Sequence, residues 1–513
     1  MDRPLIAPIS RRTLLGGAFA AATGLLAACS DSPTPSGSTG ATTLRIGTPS
    51  DVLLGSIQRF QAHNQPLRRT IFDYLVDKNP DGSYRAALAT KWEWNAQNTS
   101  LVLKLREDVT FHTGRAFGAD DVVASIKQAT AEGSGVQAAQ LLKRASGVNK
   151  TGPHEVTVTF DKPFTGYLDA LAMLPIIDSE TFAQLKDGKQ VVGTGPFKWQ
   201  SWTPGSKFDL VRYDNCWRGK ANFETLAFSI IPDAQAMLAA MRSGSLDLAL
   251  RMIARDADSL KSDNRFTVSS TVGYEMYVGV NVKVKPFDDI RVRQAVAYSL
   301  DRARIADQVY KGFATPSSVP WDESTPGITK QQIASYGYDV AKAKALLQEA
   351  GAVGTEVSIS ALAAEPTYKS IQDIVQYGLD QIGFKVKPVS YDAAQFPQHV
   401  QAGDFPGLWI TDVALTSMGQ LTSLLTANPL TVGKNTSNFA APEYATLVEA
   451  VTSAQTDEQR AGTSTKLTDY LLQQAFHNSI AQAKTPMVGV KGLTGVSADL
   501  TLAIDLTQAK LSA

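Results

Sequence analysis

Apolar and polar residues alternate in two stretches: Leu101, Leu103 and Leu105 interleave with Val102 and Lys104, and Val156, Val158 and Phe160 with Thr157 and Thr159. Strand side chains point alternately to two faces, so each stretch predicts a half-buried strand. Between them, Asp120-Asp121 precedes Val122, Val123 and Ile126, the acidic first turn and apolar face of a helix. Leu44-Arg45-Ile46-Gly47 predicts a short opening strand, and Asn79-Pro80-Asp81-Gly82 a turn. Residues 86–189 therefore read as an α+β insertion.

Downstream the pattern becomes βαβ. Val357, Ile359 and Ala361 alternate along a strand; Ile371, Ile374, Val375, Leu379 and Ile382 follow at helical spacing up to Gly383; Phe384 and Val386 begin another strand, limited by Pro388. The crossover helix makes a parallel unit the economical arrangement. Leu408-Trp409-Ile410-Thr411 predicts a further strand with Asp412 at its carboxyl end, where ligands sit in open α/β sheets. Helices are expected from Pro442 to Phe476, and no repeat of solenoid or propeller period recurs.

The run from Leu14 to Ala28 is apolar but shorter than the roughly 20 residues of a spanning helix, so it reads as an export signal over residues 1–28. Leu26-Ala27-Ala28-Cys29 resembles a lipoprotein lipobox, in which Cys29 is acylated and becomes the new amino terminus. Ser10-Arg11-Arg12-Thr13-Leu14-Leu15 resembles a twin-arginine signal, with an ordinary secretory leader as the other route. Residues 29–43, rich in Ser, Thr, Pro and Gly, form a tether with too little apolar surface to order itself.

With 513 residues, the chain exceeds the usual reach of a single core, so two or three lobes are expected. Net charge is zero over the whole chain, and the leader carries Arg3, Arg11 and Arg12 against Asp2, so the exported part is slightly acidic and no nucleic-acid partner is expected. Of the two cysteines, Cys29 is the lipidation candidate and Cys216 then has no disulfide partner. His63, His112, His154, His399 and His477 are too scattered for a local metal site. Gly193-Thr194-Gly195-Pro196 lacks the lysine and helix start of a phosphate cradle, and no G-x-S-x-G elbow is present. No catalytic residue, metal or cofactor is therefore assigned. A glycosidase carboxylate pair stays open, because its members can lie far apart in sequence.

Four stretches carry a resemblance. Leu103 to Gly114 leads into Ala119-Asp120-Asp121-Val122-Val123-Ala124-Ser125-Ile126; Gly193-Thr194-Gly195-Pro196-Phe197 is followed by Pro204-Gly205; Ile231-Pro232-Asp233 runs through Ala239 to Ser243-Gly244 and Asp247. The fourth joins Asn281 to Pro286-Phe287-Asp288-Asp289-Ile290-Arg291-Val292-Arg293-Gln294-Ala295-Val296 and Leu300-Asp301-Arg302, and Ala341 to Gly351 continue it. From about residue 44 to 480 the chain resembles the extracytoplasmic solute-binding proteins of ABC importers, the peptide/nickel-binding family 5. It departs at Cys216, where tyrosine is usual before Trp217, and at Thr113, where an acidic residue usually precedes Gly114.

The resemblance implies an α/β, two-lobed periplasmic-binding-protein-like fold with a hinge and an interlobe cleft. Lobe I would comprise 44–85, 190–276 and 478–513 and carry the 86–189 insertion; lobe II would comprise 277–477. Most motif residues would build the fold, with Arg291 and Arg293 beside Asp288, Asp289 and Asp301 as a charged network. An aspartate three residues after a tryptophan fixes the ligand's amino group in peptide binders of the family, which makes Asp412 the candidate anchor and Trp409 a candidate wall. Tyr274 and Tyr277 are further cleft candidates. The implied protein is a monomeric, lipid-anchored, extracytoplasmic receptor that delivers an oligopeptide or dipeptide to an ABC permease and ATPase. Chelated nickel, a sugar or another polar solute are alternatives within the class; a secreted hydrolase, or a sensor or adhesion lipoprotein, are alternatives outside it.

Overall fold

A computed structural model of the chain describes residues 42–512 apart from 60–61, 80–81, 186, 364, 414–423, 425–427 and 455. The leader, Cys29 and the tether up to residue 41 lie outside the described residues. Among the described residues, no helix is long and apolar enough to cross a membrane.

An 11-stranded mixed sheet organises the molecule. At one end, Lys385–Tyr391 pairs in parallel with Glu356–Leu362, which pairs in parallel with Gly407–Val413. At the other end, Thr43–Thr48 lies parallel to Thr225–Ile230, and Lys207–Arg212 and Phe197–Thr203 continue the sheet antiparallel. Two long antiparallel strands, Phe266–Val280 and His477–Val490, join these ends. The insertion forms its own four-stranded sheet from Ala89–Trp94, Ser100–Leu105, Glu155–Phe160 and Ala145–Gly152. Helix Ala119–Thr130 packs its Val122 and Ile126 face into the core of that sheet.

The expected βαβ unit is present, with Pro366–Ile382 as its crossover helix. One detail differs from the sequence expectation: Pro388 does not limit the third element, which runs on to Tyr391. Lys385–Tyr391 is the edge of the sheet, and a proline can face outward there without removing a ladder hydrogen bond.

Separate apolar cores lie on either side of the long strands. Met276, Val278, Val280, Ile480 and Ala483 pack with the βαβ unit, whereas Met487 packs with Leu44, Ile46, Phe208 and Leu226. The two halves are thus lobes sharing two strands. Pairing along those strands changes register at two places: the break between Thr271 and Tyr274, opposite Ala483 to Thr485, falls where the two cores part, and a second lies between Met276 and Tyr277 within one lobe.

The motifs interlock. His112 accepts a hydrogen bond at Nδ1 from the Gly193 amide (3.3 Å) and, at Nε2, lies 3.0 Å from the Gly195 carbonyl. A Cβ at Gly193 or Gly195 would fall 2.0 Å or 2.7 Å from backbone atoms of Ile71, so this close crossing admits only glycine. Thr194 and Trp217 both donate to buried Asp73 at 2.8 and 2.9 Å. Of the charged network expected after Asn281, the Arg291–Asp289 ion pair is present at 2.6 Å, and the rest takes another form. Asp289 and Asp301 cap their helices by accepting from the Arg291 and Arg304 amides, while buried Arg293 and Arg302 donate to backbone carbonyls.

Candidate functional site

Between the lobes lies a cavity of about 200 Å³. Gln65, Arg68, Arg251, Thr501 and Leu502 line it from one side; Tyr274, Glu365, Thr367, Tyr368 and Asp412 line it from the other. A second cavity, about 410 Å³, is lined by the long strands and by residues such as Trp321, Asp322 and Ile333 of one lobe only. Of these two cavities, the first takes its lining side chains from both lobes.

Asp412 reaches this cavity because of strand parity. It stands next to last in Gly407–Val413, opposite Met276. Trp409, three positions earlier, falls on the opposite face, where its ring lies over Gly279 and stacks on Phe405 at 4.9 Å between centroids. Trp409 is 0% exposed and belongs to an aromatic cluster with Tyr277, Phe396 and Phe405. Tyr274 and Tyr277 divide in the same way: Tyr274 lines the cavity, and Tyr277 packs under it against His477. Of the four residues singled out from sequence, the cavity brings together Asp412 and Tyr274.

The Asp412 side chain opens onto the cavity yet is surrounded by protein, and this burial pushes its carboxyl up from the ordinary carboxylate range. A hydrogen bond from the Tyr368 hydroxyl and the charge of Arg251 act in the opposite direction. Glu365 is exposed at the cavity, and its partial burial also raises it, with Arg251 pulling it down and Asp412 pushing it further up. Arg251 therefore faces both carboxylates across the cavity. It holds a positive φ of 55°, a strained conformation costing on the order of 1–3 kcal/mol for a non-glycine residue. Flanking hydrogen bonds keep it there, from Leu250 N–H to the Gly47 carbonyl and from Met252 N–H to the Pro486 carbonyl.

Thr501 and Leu502 are held by Asp499, which accepts from the Thr501 amide (2.8 Å), the Thr501 hydroxyl (2.5 Å) and the Ala503 amide (3.1 Å). Arg69 pins Asp499 in turn at 2.7 Å. Glu365, Thr367 and Tyr368 follow the carboxyl end of Glu356–Leu362, so the rule that selects Asp412 from its strand end also points to them. Gln65, Arg68, Arg251, Thr501 and Leu502 carry no such local signal; only tertiary structure assembles them. Among the described residues no group of three His, Cys, Asp or Glu could hold a metal ion.

In chemical terms one wall presents carboxylates and the other guanidinium groups, an arrangement that complements a zwitterion. Residues 83–420 match the profile of bacterial extracellular solute-binding proteins, family 5 Middle. Heme-binding protein A of Haemophilus influenzae is 29% identical over 370 residues, 65% of this chain and 67% of that protein. Di/tripeptide-binding protein 1 of Pseudomonas aeruginosa is 26% identical over 382 residues, 66% and 70% of the two chains. Among solved structures, the periplasmic binding protein DppA of Helicobacter pylori, in complex with peptide STSA, superposes with a TM-score of 0.80 at 19% identity, covering 92% of this chain and 99% of its own.

Proposed function

The chain belongs to the bacterial extracellular solute-binding proteins of family 5, and on that premise we propose that it is the lipid-anchored binding component of an ABC importer, capturing a short peptide and passing it unchanged to the membrane permease and its ATPase. The observation that carries this reading is the interlobe cavity with Asp412 and Glu365 on one wall and Arg251 on the other. The peptide ammonium pairs with Asp412, whose Tyr368 hydrogen bond fixes the carboxylate, and the peptide carboxylate pairs with Arg251. Each pairing offsets the desolvation of a charge that would otherwise be costly to bury. A ligand touching both walls binds the closed arrangement more tightly than the open one, and that difference drives closure about the register break at Thr271–Tyr274. Cys29, acylated after leader cleavage, tethers the body to the outer side of the membrane through the 29–43 segment. The lobes are 44–85, 190 to about 271 and about 485–513, with the 86–189 insertion, and about 274–483, which moves the expected boundaries at 276/277 and 477/478 to the point on the long strands where the two cores part.

Asp412→Asn tests the anchor. It is expected to weaken peptides with free amino termini far more than their amino-acetylated forms, as read by calorimetry on protein starting after Cys29; equal loss for both, or none, rejects the role. The pH dependence has a defined sign. Only the carboxylate binds an ammonium, so affinity holds at neutral pH and is lost as pH falls through the raised Asp412 pKa, earlier than for an ordinary carboxylate.

A further inference from the structure

A simple zwitterion leaves one carboxylate of the site unanswered. Its ammonium takes Asp412 and its carboxylate takes Arg251, and Glu365 remains on the same wall. Glu365 occupies the N-cap position of helix Pro366–Ile382, but its side chain makes no capping hydrogen bond there. Lys369, one helical turn on, pairs with Asp373 instead, at 2.5 Å. Among the described residues no cation lies within ion-pair distance of Glu365. The groups whose charges act on it are Arg251 and Asp412, one attractive and one repulsive. Arg68, the other guanidinium of the lining, gives Nη2 to the Met173 carbonyl at 2.7 Å and lies over the Tyr74 ring.

We infer that Glu365 is a specificity-determining residue that pairs with a second cationic group on the ligand, so that the preferred cargo is a short peptide whose first residue is basic. This rests on the peptide reading above and deepens it. The ammonium at Asp412 places the first side chain at the same wall, and a guanidinium or ammonium there pairs the remaining carboxylate. It also separates the two carboxylates electrostatically, relieving the repulsion that Asp412 exerts on Glu365. A neutral first side chain leaves Glu365 desolvated and unpaired when the cleft closes, which penalises such ligands.

The test compares arginyl-alanine with citrullyl-alanine, and free arginine with citrulline, because citrulline keeps the shape of arginine without its charge. Dissociation constants are measured by calorimetry for the wild type, Glu365→Gln, Glu365→Asp and Asp412→Asn, with circular dichroism confirming that each variant is folded. The wild type should prefer the arginine member of each pair by about tenfold. Glu365→Gln should abolish that preference by weakening arginyl-alanine and tightening citrullyl-alanine, because the unpaired carboxylate is gone; Glu365→Asp should keep part of the preference; Asp412→Asn should weaken both peptides. Equal affinities in the wild type, or a preference that survives Glu365→Gln, overturns the role of Glu365 and leaves the peptide reading standing if both peptides bind in an Asp412-dependent manner. Discrimination between the free amino acids with no binding of either peptide overturns the peptide reading and keeps the charge preference. Failure of all four compounds to bind overturns both.

Discussion

His112 holds its motif together in a form that excludes a proton. Its Nδ1 accepts from the Gly193 amide, which leaves Nε2 to donate to the Gly195 carbonyl. A protonated ring would turn an Nδ1–H against that amide, and burial pushes the imidazole pKa down to about 4. In the unfolded chain it titrates near 6.5, so between about 6.5 and 4 the unfolded state binds the extra proton and stability falls as pH drops. The loss attributable to this residue reaches about 3 kcal/mol at the acid end of that window. Urea unfolding of wild type and His112→Gln at pH 7 and pH 4.5 checks it: the wild type's advantage should shrink at the lower pH, and parallel losses would contradict it. Legibility at this scale was uneven. The Phe111-His112 and Gly193–Pro196 motifs were visible as fold-building elements, though not that they touch. The Trp409 and Asp412 spacing was visible too, but three positions along a strand place side chains on opposite faces, so only one of the pair could line the cavity.

Elements with regular periodicity were legible, and irregular ones were not. The βαβ unit, the insertion strands and the helices after Pro442 all announce themselves through period 2 or 3.6. The segment after Val490 has no such period: it contains only two-residue strands, and it is held by burial of Leu500, Ile504 and Leu506 together with ion pairs to distant arginines. Arg69 holds Asp499, and Arg218 holds Asp505 at 2.8 Å. The first of these ties presents Thr501 and Leu502, at a φ of 62°, to the cavity. Asp499→Ala should therefore cost about 2 kcal/mol of stability and weaken ligand binding several-fold, since it releases the Thr501 turn as well as Arg69. Asp505→Ala breaks an equivalent tie remote from the cavity lining and should lower stability without the affinity loss. Thermal unfolding with calorimetry on both variants separates the two effects, and equal affinity for Asp499→Ala and wild type would rule out a role for this segment in the site.

At the scale of the whole molecule, two cores that share two strands make the register break the natural axis of motion. The chain passes there with no room to spare: a Cβ at Gly273 would lie 1.3 Å from the Ala483 carbonyl oxygen, on the partner strand. Any side chain at this position must push the two long strands apart where both lobes depend on their pairing. Such a change replaces no lining residue of the cavity, but Tyr274 and Thr485 lie beside it, so ligand-induced contraction read together with affinity, rather than affinity alone, reports the coupling between hinge and site. Gly273→Ala is expected to cost about 3 kcal/mol, in the range of overpacked core substitutions, in one cooperative transition because the strands serve both cores. It is also expected to reduce ligand-induced contraction measured by small-angle scattering and to weaken affinity by lowering the fraction of molecules able to close. Unchanged contraction and affinity in a destabilised but folded Gly273→Ala protein would place the axis elsewhere, because closure would then proceed without the geometry of this crossing.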